Sequence, residues 1–333
     1  MGERNNSQIR DSIKMKRENI LAHLCIGCAG IIWGLMSPIG KDAMLHGIGG
    51  IDMVSFRVMG ACLCFWLASL MFKVTGQKQE KVPKRDLLKF FLVAMFSVIC
   101  NQCCYTIGLS ITAPTNASIM TTTMPIITMI LAAIVLREPI SSKKVLGIAL
   151  GVTGALILIL SSTSTGGSKA EGNILGDLLV VGAQCSFAIY LTFFKHIVQR
   201  YHVVTVMKWT FTYACLVILP FSFRHLNAIP FSEISTRTWL ETGFVVFFGT
   251  FLAYILMIRA QKVLRPTVVS IYNYVQPTVA CLVSAITGLG AFGWSQAIAI
   301  VLVFTGVYLV SISKSRRELK QEQRQSKHRE PSA

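Results

Sequence analysis

Twelve uncharged polar side chains lie inside stretches that are otherwise apolar. Asn101, Gln102 and Tyr105 come first. Asn116, Ser118 and Thr122 follow within "TAPTNASIMTTTMP", which closes on Pro125. Gln184, Tyr190 and Tyr254 come later, then Tyr272, Asn273 and Gln276 just ahead of Pro277. Amide, hydroxyl and phenol groups in such places offer hydrogen bonds to a solute crossing an apolar medium; their chemistry is recognition rather than bond-making. The competing reading is that they tie membrane helices together, at about 0.6 kcal/mol each. Arg57 adds one cation inside an apolar stretch, a candidate charge partner for a substrate. Its alternatives are snorkelling to the interface or pairing with Asp42 or Asp52.

Bond-making chemistry finds little support. The chain has no H-E-x-x-H, no G-x-S-x-G and no facing pair of membrane-depth carboxylates, so an intramembrane enzyme is a poor reading. It has no P-loop to drive transport with ATP. Cys25–Cys28 and Cys100–Cys103–Cys104 have metal-like spacing, but only His23 stands near them, so inert packed thiols, no metal and no cofactor are expected. A receptor or assembly protein would need a sizeable extramembrane domain, and the basic tail of about 20 residues is too short to fold alone.

What must position these residues follows from the charges that are missing. Of the 333 residues 53% are hydrophobic and 14% charged, against about 25% charged in a soluble protein. No Asp, Glu, Lys or Arg occurs from Phe90 to Leu136 or from Pro266 to Ser313. A crossing takes about 20 apolar residues, so each run holds two. Lipid leaves no partner for backbone groups, so the segments are helices. The sequence predicts an all-α integral membrane protein with ten spans, near 20–44, 53–73, 88–110, 113–136, 144–162, 174–197, 203–223, 238–260, 266–288 and 292–313. The first is expected to be a genuine span rather than a cleavable signal.

The net charge of +17 suggests nucleic acid only at first sight. With the amino terminus inside, 27 of the 32 Lys and Arg fall on the inner side. That is the positive-inside asymmetry, with both termini cytoplasmic and the tail near anionic headgroups. The expected partners are the lipid bilayer and a small-molecule metabolite, with no nucleic acid.

The chain also repeats itself. Pro114 matches Pro266, Ser118 matches Ser270, Pro125 matches Pro277 and Gly154 matches Gly306, all at an offset of 152. "GCAGIIWGLMSPIGK" matches "VGAQCSFAIYLTFFK" more weakly at 154. Two units of five spans face the membrane oppositely, an inverted repeat of the transporter kind. The expected division is a leader at 1–19, a first repeat at 20–162, an external linker at 163–173, a second repeat at 174–313 and a tail at 314–333. Pro125 and Pro277 are expected inside helices, as hinges beside a wet path. Glu138 is expected to pair with Lys143 or Lys144 across a short turn. Gly147, Gly151, Gly154 and Gly306 suit close helix packing within a monomer or across a homodimer face.

At these residues the chain resembles the EamA domain of the drug/metabolite transporter superfamily. The likeness rests on Asn101-Gln102, Gly108-Leu109, the run at 112–118, Pro125, Glu138, Gly147–Gly154 and the Trp33-Gly34 pair. The second unit departs from it, with Gly290 in place of the usual Glu and Phe187-Ala188 in place of Trp-Gly. The resemblance implies export or exchange of small metabolites such as amino acids across the cytoplasmic membrane. No carboxylate lies at mid-depth in any span, which favours a uniporter or exchanger over a proton antiporter.

Overall fold

Segments without charge must satisfy their backbone internally, and the chain does so with helices throughout its described residues. The structure is a computed structural model, describing residues 2–75, 80–111, 120–163, 174–227, 229, 231–286 and 293–313. In order the helices are α1 (Gly2–Leu45), α2 (Gly50–Val74), α3 (Lys84–Ala94), α4 (Cys100–Ile111), α5 (Met124–Val135), α6 (Ser142–Thr163) and α7 (Ile174–Phe193). They continue as α8 (Lys195–Arg200), α9 (Val203–Asn227), α10 (Thr236–Val246), α11 (Ala253–Val263), α12 (Pro266–Ile271), α13 (Val275–Ile286) and α14 (Trp294–Ser311). A π-helical turn, Met95–Ile99, joins α3 to α4; another, Phe247–Leu252, joins α10 to α11. A 3₁₀ turn, Tyr272–Tyr274, joins α12 to α13.

Eight helices among the described residues are long and apolar enough to cross a membrane. The shorter α5 and the broken α12–α13 pair occupy the places of the expected fourth and ninth spans. Lipid-facing surface is visible on α2, where Leu63, Leu67 and Leu70 share one exposed face at helical spacing.

The two halves interleave. Helix α1 packs on α10, α11 and α13 of the second half, and α4 packs on α7. Glycine makes the closest approaches possible. A Cβ on Gly34 would meet the Gln276 carbonyl at 2.9 Å, and one on Gly108 would meet the Gly176 carbonyl at 2.8 Å. The expected small-residue packing lies inside this chain, between α6 and α14: a Cβ on Gly147 would meet the Gly306 carbonyl at 2.8 Å, and one on Gly154 the Ala299 carbonyl at 2.6 Å.

Candidate functional site

The prolines explain the first part of the site. Pro125 stands in the first turn of α5, and Pro277 is the third residue of α13. This corrects the expectation of mid-helix kinks. A missing N–H costs least in a first turn, so the chain breaks just before each proline, at Thr122–Thr123 and at Tyr272–Tyr274. In an unbroken helix residue 125 would donate to the Thr121 carbonyl, which proline cannot do. Asn273 Nδ2 donates to that oxygen instead, at 3.4 Å, and Tyr274 Oη donates to the Thr122 carbonyl at 3.0 Å. Both pairs are separated by 152 residues, the offset of the repeat. Each break is therefore tied to its own counterpart. Gln276 Nε2 donates to Asn273 Oδ1 at 2.5 Å and orients that amide.

The π turns repeat the pattern, starting at Met95 and Phe247, again 152 apart. A π turn widens the ladder and favours functional places. Here its carbonyls are met from the opposite half. Ser186 Oγ on α7 donates to the Phe96 carbonyl at 2.8 Å, and Trp33 Nε1 on α1 donates to the Gly249 carbonyl at 3.0 Å. This gives the Trp33-Gly34 pair its physical content: Trp33 holds a π turn, while Gly34 lets α1 approach the Gln276 carbonyl beside the other break.

Arg57 points into the bundle. Its Nε donates to Thr250 Oγ1 at 3.0 Å, inside the second π turn, and Thr250 Oγ1 donates to the Val245 carbonyl at 3.0 Å. The Tyr254 and Tyr105 side chains lie within electrostatic reach of Arg57. The alternative pairings do not form: Asp42 is held by Arg237 at 2.9 Å, and Arg57 makes no ion pair among the described residues. Gln102 is 4% exposed beside the Tyr254 hydroxyl. No described protein group completes a well-formed hydrogen bond to either polar atom of its amide. Tyr254 stands edge-on to Trp33, ring centres 6.1 Å apart. Trp33 in turn lines a small cavity with Phe187, Met124, Met257, Tyr272 and Asn273. His23 Nδ1 lies 2.9 Å from the Tyr272 hydroxyl at its margin.

The structure thus brings together Arg57, Gln102, Tyr105 and Tyr254 in one group, and Thr122, Tyr272, Asn273 and Gln276 in another. It places three other candidates differently. Tyr190 is fully buried and donates to Gln261 Oε1 at 2.8 Å. Asn101 Nδ2 donates to the Ala183 carbonyl at 2.9 Å, which ties α4 to α7. Gln184 is buried. Asn116 and Ser118 lie outside the described residues. Thr250 and Ser186 were invisible as site residues in the sequence, and Trp33 entered there only through the resemblance; the offset of 152 carries Thr250 onto Val98 and gives no signal.

Ion pairs close one end of the bundle. Glu138 meets Lys144 at 2.7 Å, and Thr267 Oγ1 of the other half donates to the same carboxylate at 3.0 Å. Arg137 takes a left-handed turn (φ 52°) that folds the Glu138 N–H back onto the Ala132 carbonyl at 3.1 Å. A second group forms at Asp86, which accepts from Lys89 (2.7 Å), Arg200 (3.1 Å) and Tyr201 Oη (2.5 Å). Burial, reinforced by the bond to Asp86, raises the Tyr201 phenol above its ordinary value, so it stays a donor. No group of three or more His, Cys, Asp or Glu among the described residues could hold a metal ion.

Comparison with known proteins gives a consistent picture. A model described as the EamA-like transporter family matches residues 20–160 and again 174–312. The uncharacterized transporter YetK of Bacillus subtilis is 23% identical, over 70% of this chain and 70% of its own. Protein WALLS ARE THIN 1 of Arabidopsis thaliana is 25% identical, over 93% of this chain and 87% of its own. One crystal structure overlays with a TM-score of 0.69 at 16% identity, covering 87% of this chain and 98% of that one, a likeness of fold alone.

Proposed function

We propose, from the premise that the chain belongs to the EamA-like transporter family, that it moves small organic metabolites across the cytoplasmic membrane by alternating access. It is a multi-pass membrane transporter. The finer reading is a secondary carrier of ten spans, with both termini in the cytoplasm, working by export or exchange. The observation that carries it is the tie between the two breaks, in which Asn273 donates to the Thr121 carbonyl and Tyr274 to the Thr122 carbonyl. Two broken helices that hold each other at one place supply a fixed centre about which inverted repeats rock.

In this reading the end closed by Glu138–Lys144–Thr267 and by Asp86–Arg200–Tyr201 is cytoplasmic, because it carries the loops rich in Lys and Arg. Both groups join the two halves, so the inward-open state must part them. The pair Arg237–Asp42, 2.9 Å apart, ties α10 to the end of α1 on the other face.

Proteoliposomes preloaded with a metabolite extract and exchanged against labelled extract test the function. Protein-dependent counterflow of a defined set of solutes is expected; its absence with correctly folded protein would overturn the proposal. A cytoplasm-only reporter fused after Ala333 tests the orientation and is expected to be active.

A further inference from the structure

We propose that the Arg57 group is the substrate's anchoring point, and that the substrate is a net-anionic organic acid: a carboxylate carried on an apolar body. The proposal rests on the transport reading above and narrows it.

Arg57 stands seven residues into α2. Its guanidinium has a single protein acceptor among the described residues, Thr250 Oγ1, and this engages only Nε. The planar fork of its two terminal nitrogens therefore has no protein acceptor there. Among the described residues no acidic side chain forms an ion pair with it: Asp42 is held by Arg237, and Asp52, on its own helix, forms none there. A guanidinium keeps its charge in proteins, and a charge inside a bundle without a counterion is costly. An anion would supply the missing counterion, and a carboxylate fits the fork with two parallel hydrogen bonds.

Gln102 is a second, independent sign. Its amide is 4% exposed and has only the Tyr254 hydroxyl within hydrogen-bonding reach among the described residues, which leaves at least one of its two polar atoms without a partner there. Buried amides without partners are rare in proteins at rest and call for a missing group. The Tyr254 and Tyr105 side chains lie within electrostatic reach of the same charge. Two phenols and an amide N–H offer donors to an anion.

The rest of the setting decides the class. The adjoining cavity, reached through Trp33, which touches Tyr254, is lined by Trp33, Phe187, Met124 and Met257. Such walls suit an apolar body.

The test uses the purified full chain in nanodiscs, with benzoate and hexanoate as probes. Their uncharged counterparts benzamide and hexanamide, hexylamine, and inorganic phosphate serve as comparators. Binding is read by isothermal titration. The two carboxylates are expected to bind saturably and the comparators not. Arg57→Gln is expected to weaken carboxylate binding by about thirtyfold or more, as for a charge pair broken inside an interface. Lys73→Gln, an exposed cation on the same helix, is expected to change nothing. If Arg57→Gln does not fold, Gln102→Leu replaces it, with weaker binding again expected. Equal binding of the amides, preference for hexylamine or phosphate, or carboxylate binding that survives both variants would overturn the proposal. Counterflow in proteoliposomes separates the two claims. Arg57-dependent carboxylate binding without movement of any solute supports the anion site and sinks the transport reading. Counterflow of cations or neutral solutes that ignores Arg57 sinks the anion site and leaves transport standing.

Discussion

Replacing Lys144 by Met should strand a carboxylate. In the native chain the two side chains are 1% and 9% exposed and 2.7 Å apart. One Glu138 oxygen accepts from both Lys144 and Thr267, while the other has no partner among the described residues. Removing one member of a buried pair costs about 3–5 kcal/mol, because the remaining charge stays desolvated. Lys144→Met is expected in that range, and Glu138→Gln at its lower end, since the flexible lysine stem can lift its ammonium toward the interface. The double variant carries no stranded charge, and the amide oxygen that Glu138→Gln introduces would still accept from Thr267. Replacing a buried pair by neutral groups is often close to neutral, so its cost should be about 1 kcal/mol or less. The coupling energy is then about 5 kcal/mol or more, far outside simple additivity. The assay is reversible unfolding in mixed micelles, titrated with a denaturing detergent. Single variants costing under about 1 kcal/mol, or a double variant equal to the sum of the singles, would refute this account of the clamp.

Tyr274→Phe deletes the hydroxyl that meets the Thr122 carbonyl at 3.0 Å; it should cost about 0.6–1.5 kcal/mol of stability and slow counterflow, and a native rate per folded molecule would count against the tied breaks. Gly306→Ala places a methyl against the Gly147 carbonyl and the Gly151 backbone, an overpacking worth about 1–3 kcal/mol. Gly182→Ala, with nothing within 4 Å of the new carbon, should leave the melting temperature equal or higher, and the pair is read by thermal unfolding in detergent. Burial, then the nearby Lys262 charge, lowers His202 below its ordinary 6.5, and its Nδ1 accepts the Val204 N–H at 3.3 Å at the start of α9. Because the folded value is depressed, this contribution is full above about pH 6.5 and is lost as pH falls through the folded value. His202→Asn keeps an acceptor without a titration, so the drop in melting temperature between about pH 7 and pH 5 should flatten, as melts across that range will show.

The repeat was legible because proline, serine and glycine at fixed spacing survive as letters. So was the Glu138 clamp, since a short turn leaves few geometric options; Gly147 and Gly306 were legible as close-packing residues, but not whether they pack within the chain or across a homodimer face. The π turns left little mark: "MFSVI" and "FFGTFL" share only Phe96 and Phe248 at the offset of the repeat. Arg57 read equally well as a snorkelling residue, because its depth was visible and its acceptor, 193 residues away, was not. Tyr190 looked like a site residue by chemistry alone; its enclosure against Gln261 depends on how α7 meets α11. Pro125 misled for a subtler reason. The sequence marks where a helix cannot continue, while the fold chooses to stop one turn earlier.

The tied breaks also impose a timetable on synthesis. The carbonyls of Thr121 and Thr122 meet Asn273 and Tyr274 only after 152 more residues have been made. At about 5–20 residues per second, that interval is roughly 8–30 s. Throughout it the nascent first half sits at the ribosome's exit with its central helix interrupted, facing lipid or the insertion machinery rather than its eventual neighbour. Whatever shelters that interruption during translation acts before the protein has a pathway to guard, and a chain cut between the halves would keep waiting for a partner delivered from another ribosome.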